Sequence, residues 1–132
     1  MTWIILTILA LVALSFARVM PVDPARWHKA VQGDADKDTA SSALRVMPAP
    51  ENALMRLDKI ALQTPRTKRV SGAPEDGRIT YETRSLVFGF PDYTTVDVDK
   101  DTLRIYARLR FGKADLGVNK ARVEAWIAQL KS

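Results

Sequence analysis

The sequence predicts an α+β fold, in which an N-terminal apolar helix precedes a two-layer domain of a four-stranded antiparallel sheet packed against two helices. Three observations support this prediction. Residues 2–17 carry no charge, residues 66–111 alternate apolar and polar side chains over four short runs, and segments with helical periodicity lie on both sides of those runs. The chain has 132 residues, of which 47% are hydrophobic and 27% charged, as is typical of one globular domain.

The uncharged segment at residues 2–17 is the first element. A bilayer-spanning helix needs about 20 apolar residues, and Val19 and Met20 extend the run towards that length if Arg18 snorkels to the interface. We interpret residues 1–20 as an uncleaved single-pass anchor. A cleaved signal peptide is the alternative, because small residues precede Arg18, although no Lys or Arg precedes the run. A buried core helix fits less well, because the run has no polar face.

We expect the anchor to lie in a bacterial inner membrane with the domain on the periplasmic side, because the N-terminal run has features of an export signal. The opposite orientation stays open, because Arg18, Arg26 and Lys29 follow the run and a positive-inside count keeps them in the cytoplasm. The chain has no cysteine, which excludes disulfides and thiolate chemistry. The net charge of +5 favours anionic partners in general.

Residues 21–47 read as a tether or irregular arm, because prolines and a long polar run interrupt any periodicity. Trp27 is expected either at the bilayer interface or against the domain. His28, the single histidine, is expected to be structural or exposed. The two D-x-D-x-D runs lack the glycine and glutamate of a calcium-binding loop, so we predict no metal site and no cofactor.

The domain proper is predicted at residues 48–132. Residues 50–63 form its first helix, with Leu54, Leu57 and Ala61 on one stripe and Pro65 beyond its end. The strands follow at 66–71, 78–88, 94–98 and 102–111, and short turns make them an antiparallel meander. The apolar side chains assigned to the helix-covered face are Ile79, Tyr81, Val87, Val96, Val98, Leu103, Ile105, Leu109 and Phe111.

Arginines mark the opposite face of the predicted sheet. Arg78, Thr80, Glu82 and Arg84 alternate outward on one strand, Arg104, Tyr106, Arg108 and Arg110 on another, with Asp97 between them. One interpretation is a surface for phosphate-bearing headgroups or an acidic partner. The other is an ordinary solvated face with cross-strand ion pairs.

The last helix follows a glycine-punctuated corner. Val123, Trp126, Ile127 and Leu130 have the i, i+3, i+4, i+7 spacing of a buried stripe. Asn119 is predicted to cap the helix N-terminus, and Gly112 and Gly117 suit a corner that needs positive backbone φ angles or a close backbone approach.

Two stretches, TRSLVFGFPDYTTVDV and RIYARLRFGKADLGVNKARVEAWI, resemble the domain-of-unknown-function family numbered 1499, found in bacteria and plastids. The resemblance runs from Pro50 to the C-terminus. Its most specific positions are Arg108, Gly112, Asp115, Gly117, Asn119 and Arg122, with Phe90 and Asp92 from an earlier corner. Ala107, Leu109 and Ala114 stand where the family often has serines, which argues against a serine nucleophile. Because the family has no settled activity, the resemblance implies fold boundaries and no reaction.

The candidate ligand-binding residues are Arg84, Asp92, Arg108, Asp115, Asn119 and Arg122. In one hypothesis Arg108 and Arg122 hold an anionic group, oriented by the polar residues around them. In the other, these polar groups only fix the strand-to-helix corner.

For function, we predict a membrane-tethered, non-enzymatic accessory or interaction domain acting at a membrane surface or on a membrane protein complex. The alternative is a binding protein for an anionic lipid headgroup or a small anionic ligand. A hydrolase fits poorly, because neither nucleophile–base pairs nor metal-ligand spacings are present, and no catalytic residue is predicted. We expect no nucleic-acid partner.

Overall fold

A computed structural model of the chain describes residues 1–86 and 89–132. It confirms the α+β class with an N-terminal apolar helix. The elements are α1 Thr2–Val19, α2 Pro24–Trp27, β1 Lys37–Asp38, β2 Ser42–Pro48, α3 Ala53–Gln63, β3 Thr67–Ala73, a short 3-10 helix Pro74–Asp76, β4 Arg78–Arg84, β5 Pro91–Asp99, β6 Thr102–Leu109 and α4 Val118–Lys131. The strands form one antiparallel sheet in the order β1-β2-β6-β5-β4-β3.

The predicted four-stranded sheet is wrong in its strand number, because the described sheet has six strands. Both additional strands, β1 and β2, lie in the segment that we interpreted as an irregular arm. β2 pairs with β6 over its full length, from Ser42 opposite Arg108 to Pro48 opposite Thr102. Its partner is about 60 residues away in the chain, and such long-range pairing is set by tertiary contacts more than by local propensity.

Helices α3 and α4 cover one face of the sheet, as predicted. Leu54, Leu57 and Ala61 of α3 are buried, and so are Val123, Trp126 and Leu130 of α4. Trp126 is 1% exposed, and its ring meets Tyr81 edge-on with centroids 5.6 Å apart. Val87, which we assigned to this face, lies outside the described residues.

The opposite face is not the solvated surface considered above, because residues 20–33, which we call the N-terminal arm, cover it. Thr80, Glu82 and Asp97 on this face are 0%, 3% and 4% exposed. Trp27 packs against Tyr93 of β5 with ring centroids 4.5 Å apart. Both faces of the central strands are therefore buried, one beneath helices and one beneath the N-terminal arm.

The helix α1 stands apart from this domain. None of its residues is buried, and its 18-residue apolar window has a mean hydropathy of 2.1. By length and composition it is a candidate membrane span. A signal sequence near the N-terminus has the same properties, so both alternatives stay open.

Candidate functional site

A continuous group of polar side chains joins β5 to the start of α4. The Asn119 amide donates to Asp115 Oδ2 at 2.6 Å, and Arg122 Nη1 donates to Asn119 Oδ1 at 2.7 Å. Arg122 Nη2 lies 3.7 Å from the Asp92 carboxylate, and the Gly117 N–H donates to Asp115 Oδ1 at 2.8 Å. Four of the six candidate residues thus form one unit, the corner cluster: Asp92, Asp115, Asn119 and Arg122.

Asn119 is not the helix cap that we predicted. The N-cap position of α4 is Gly117, which adopts a left-handed φ of 82°, and none of the described side chains caps the helix there. Asn119 is fully buried within the first turn, with its amide turned into the corner cluster. The positive φ predicted for Gly112 and Gly117 is confirmed.

Burial changes the pKa values of two members of the corner cluster, Asp92 and Arg122. It raises the pKa of Asp92 to about 6, although the Arg122 guanidinium opposes this change. Burial also lowers the pKa of Arg122, against the attraction of Asp92 and Asp115. Both changes favour the neutral forms, so the loss of hydration outweighs the attraction between groups 3.7 Å apart. The Arg122 side chain is only 11% exposed. This geometry favours a structural role for the cluster.

Arg108 does not join Arg122. In the β5–β6 pairing Arg108 lies opposite Tyr93, whereas Asp92 lies opposite Leu109, and neighbouring residues on a strand face opposite sides. Arg108 is therefore on the face covered by the N-terminal arm, while the corner cluster is on the helix-covered face. The proposed pair of guanidinium forks is not formed, because the sheet stands between them.

Arginines on the arm-covered face hold the arm through its backbone carbonyl oxygens. Arg108 donates to Trp27 O, and Arg104 Nε donates to Gly33 O at 2.8 Å. Arg110 donates to Pro21 O at 2.8 Å and to Met20 O at 3.1 Å, and Arg84 donates to Arg18 O. The arginine-rich face is in large part an internal interface.

Polar side chains continue this interface beneath the arm. The Thr80 and Thr95 hydroxyl oxygens are 2.8 Å apart, and Thr80 Oγ1 is 2.8 Å from His28 Nδ1. Asp97 Oδ2 accepts the Val31 N–H at 2.8 Å. Burial, followed by the nearby Arg78 charge, lowers the pKa of His28. The structural role expected for His28 is consistent with these contacts.

A cleft of about 520 Å³ opens between the arm and the strands β1, β2 and β6. Its cationic side chains are Arg26, Lys29, Lys37 and Arg108, its aromatic rings are Trp27 and Tyr106, and its hydroxyl groups are Thr39, Ser42 and Thr95. No carboxylate is among the described residues that line it. We call this site the basic cleft.

Arg108 is the most deeply buried cation of the basic cleft. Its guanidinium lies 5.3 Å from the Trp27 ring centroid and 5.0 Å from that of Tyr106, and Nη1 donates to Thr95 Oγ1 at 2.8 Å. Among the described residues no Asp or Glu forms an ion pair with it. Burial lowers its pKa to about 10, as expected for a guanidinium without a counter-charge. Such a group in a cleft is suited to an anionic ligand.

Sequence reasoning selected Arg108 but missed the rest of the basic cleft. Lys29 and Trp27 belong to the arm, and Lys37 belongs to β1, both of which we read as irregular tether. The interruption of that polar segment by Trp27 and His28 was the available signal. Nothing in the sequence pattern indicated that these residues would meet Tyr106.

The sequence model of a family described as "Protein of unknown function (DUF1499)" matches residues 18–130. The match begins at the end of α1 and therefore includes the arm and both unpredicted strands. No curated protein matches the chain.

Proposed function

The chain belongs to the DUF1499 family, whose function is unknown, and we propose that it is a membrane-tethered, non-enzymatic binding domain. Its working part is the basic cleft, which holds an anionic group close to the membrane surface. In this role it serves as an accessory to other components of the membrane.

The observation that carries this proposal is the charge of the basic cleft. Four cations face a space of about 520 Å³, and Arg108 is buried there without a carboxylate. A buried unpaired charge is unfavourable, so a bound anion would relieve a cost that the empty domain bears. The Trp27 and Tyr106 rings add apolar surface, which fits a ligand with both an anionic and an apolar part.

The short connection between α1 and the basic cleft supports a position of the cleft near the bilayer. Arg26 and Trp27 follow Val19, the last residue of α1, by only seven and eight positions. If α1 spans the membrane, the arm that forms one wall of the basic cleft begins at the bilayer surface. Anionic phospholipid headgroups and dissolved phosphate-bearing molecules share the chemistry that this site recognises.

Binding is favoured over catalysis by the position of the only His–hydroxyl pair in the described part of the chain. His28 Nδ1 contacts Thr80 Oγ1, but Thr80 is 0% exposed beneath the arm. A substrate would have to displace the arm to reach that hydroxyl group.

The test is anion binding by the full-length protein in nonionic detergent. We expect inorganic phosphate and dihexanoyl phosphatidic acid to raise the melting temperature, and dihexanoyl phosphatidylcholine to leave it unchanged. Tighter binding of the phosphatidic acid than of phosphate would identify a lipid as the better ligand, and equal binding would favour a small anion.

The variant for this test replaces two exposed lysines of the basic cleft. Lys29→Gln combined with Lys37→Gln should weaken binding about fivefold, from roughly 1 kcal/mol for two exposed charges, without unfolding the domain. Lys59→Gln changes an exposed lysine of α3 away from the cleft and is the matched control. Equal affinities for the wild type, the double variant and the control would refute the proposal.

A further inference from the structure

After α1, four of the five exposed large apolar side chains among the described residues lie at one end of the domain. The five are Met55, Leu62, Leu86, Leu116 and Val118. Met55 lies at the start of α3, in a surface groove that includes the β5–β6 turn. The other four lie at the opposite end of the sheet, where α3, β4 and β6 end and where β5 and α4 begin. We call this end of the domain the anchor end.

The helix α1 leaves the domain at this same end. Arg84, the last residue of β4, donates to Arg18 O, and Arg110, directly after β6, donates to Met20 O. A Cβ atom placed on Gly89 would lie 3.0 Å from Arg18 Nε. The last turn of α1 is therefore next to the connection between β4 and β5.

Leu116 is the most exposed of these side chains. It is 95% exposed, and its backbone has a left-handed φ of 55°, which is unfavourable for a leucine. The corner cluster holds this conformation, because Asp115 accepts from both Gly117 and Asn119. The fold thus holds Leu116 in an unfavourable backbone conformation with its apolar side chain exposed.

Cations flank two of the apolar residues of the anchor end, Leu62 and Leu86. A groove of about 680 Å³ is lined by Leu62 and Leu86 together with Arg18, Arg66, Lys68 and Arg84. Among the described residues that line it Glu82 is the one carboxylate, and Glu82 is already 3.4 Å from Lys68 and 3.0 Å from Arg84. Exposed leucines flanked by surplus positive charge are complementary to a bilayer with anionic headgroups.

We propose that the anchor end of the domain rests on the bilayer, with Leu86 and Leu116 inserted between headgroups and acyl chains. This inference depends on the membrane anchoring in the proposed function and adds a second contact with the same membrane. It assigns a role to the corner cluster, which holds the membrane-contacting loop instead of a ligand. It also sets the orientation of the basic cleft relative to the lipid surface.

The absence of cysteine from the chain allows a direct test. Leu86→Cys, Leu116→Cys and Met55→Cys are each made in the full-length protein, labelled with an environment-sensitive nitrobenzoxadiazole dye and reconstituted into vesicles of phosphatidylcholine and phosphatidylglycerol. Met55 is the matched control, because it is a 54% exposed apolar side chain at the other end of the sheet. A second vesicle set contains lipid spin-labelled near the carbonyl end of its acyl chain.

We expect the labels at positions 86 and 116 to emit at shorter wavelength than the label at 55 and to be quenched by the spin-labelled lipid. Carbonate washing of the same vesicles reports on anchoring separately. Protein that is retained by the vesicles with all three labels equally solvent-exposed would overturn the contact at the anchor end and leave the proposed function intact. Protein that is released by carbonate would overturn both.

Discussion

The raised pKa of Asp92 makes the stability of the domain depend on pH in a direction opposite to that of most carboxylates. Burial raises this pKa from 3.8 to about 6, so between these values the folded state holds a proton that the unfolded state has lost. Folding is then favoured at the lower pH, and stability falls as pH rises from about 4 to about 6. A difference of about two pH units corresponds to roughly 3 kcal/mol at ~1.4 kcal/mol per unit.

Replacing Asp92 by Asn removes this titration while keeping the shape of the side chain. The free energy of unfolding of both proteins can be measured from pH 4 to pH 8 by urea denaturation in nonionic detergent, followed by tryptophan fluorescence. Relative to Asp92→Asn, the wild type should lose about 3 kcal/mol across this range. The attraction between ionised Asp92 and Arg122 is already contained in the pKa of about 6, so it does not reduce this value further.

The difference in unfolding free energy between the wild type and Asp92→Asn cancels the contributions of the other titrating groups. The lowered pKa of His28 makes stability fall as pH drops below 6.5, within the same window, but equally in both proteins. The lowered pKa values of Asp38 and Asp58, caused by Arg45 and Arg69, matter only as pH falls through about 4. A difference that stays constant with pH would show that Arg122 and solvent keep Asp92 ionised, and the reasoning would be wrong.

Three further outcomes are expected. Trp126→Ala should destabilise the domain by about 3 to 5 kcal/mol, because the ring is 1% exposed, whereas Lys120→Ala on the exposed side of α4 should stay within about 0.5 kcal/mol in the same urea titration. Equal effects would mean that the buried face is misassigned. Tyr81→Phe should cost about 1 to 3 kcal/mol, because the buried Tyr81 hydroxyl donates to Asp58 at 2.7 Å, and an unchanged unfolding midpoint would contradict this. The full-length chain should stay with membranes through high salt and carbonate, and a chain that begins at Pro21 should be soluble; release of the full-length chain by salt alone would refute the anchor.

Elements with strong periodicity were predictable. The stripes of α3 and α4 were identified because 3.6-residue spacing of apolar side chains needs no information from elsewhere in the chain. Their starts were less accurate, since α3 begins at Ala53 and not at Pro50. The strands β3 to β6 were found within a few residues, with positions 87 and 88 outside the described part of the chain.

The residues that we grouped into one candidate site lie on two faces of the sheet. Asp115, Asn119 and Arg122 were grouped correctly, because residues three and four apart meet on one side of a helical turn. Adding Arg108 to them required knowing which face of β6 it occupies relative to α4. The strand register places it on the other face, where it meets the arm.

By itself the sequence determined the uncharged N-terminal helix, the α+β class and the buried stripes, because each follows from spacing between near neighbours in the chain. Only the tertiary structure decided what covers the second face of the sheet. Residues 18–33 carry little periodicity. They are placed by arginine side chains in β4 and β6 and directly after β6, which donate to their backbone carbonyl oxygens from 66 to 90 residues away. Trp27 indicated that this segment could pack against the domain. Because every residue type offers a carbonyl oxygen, no pattern of side chains specified which arginines hold the segment or where the basic cleft forms beside it.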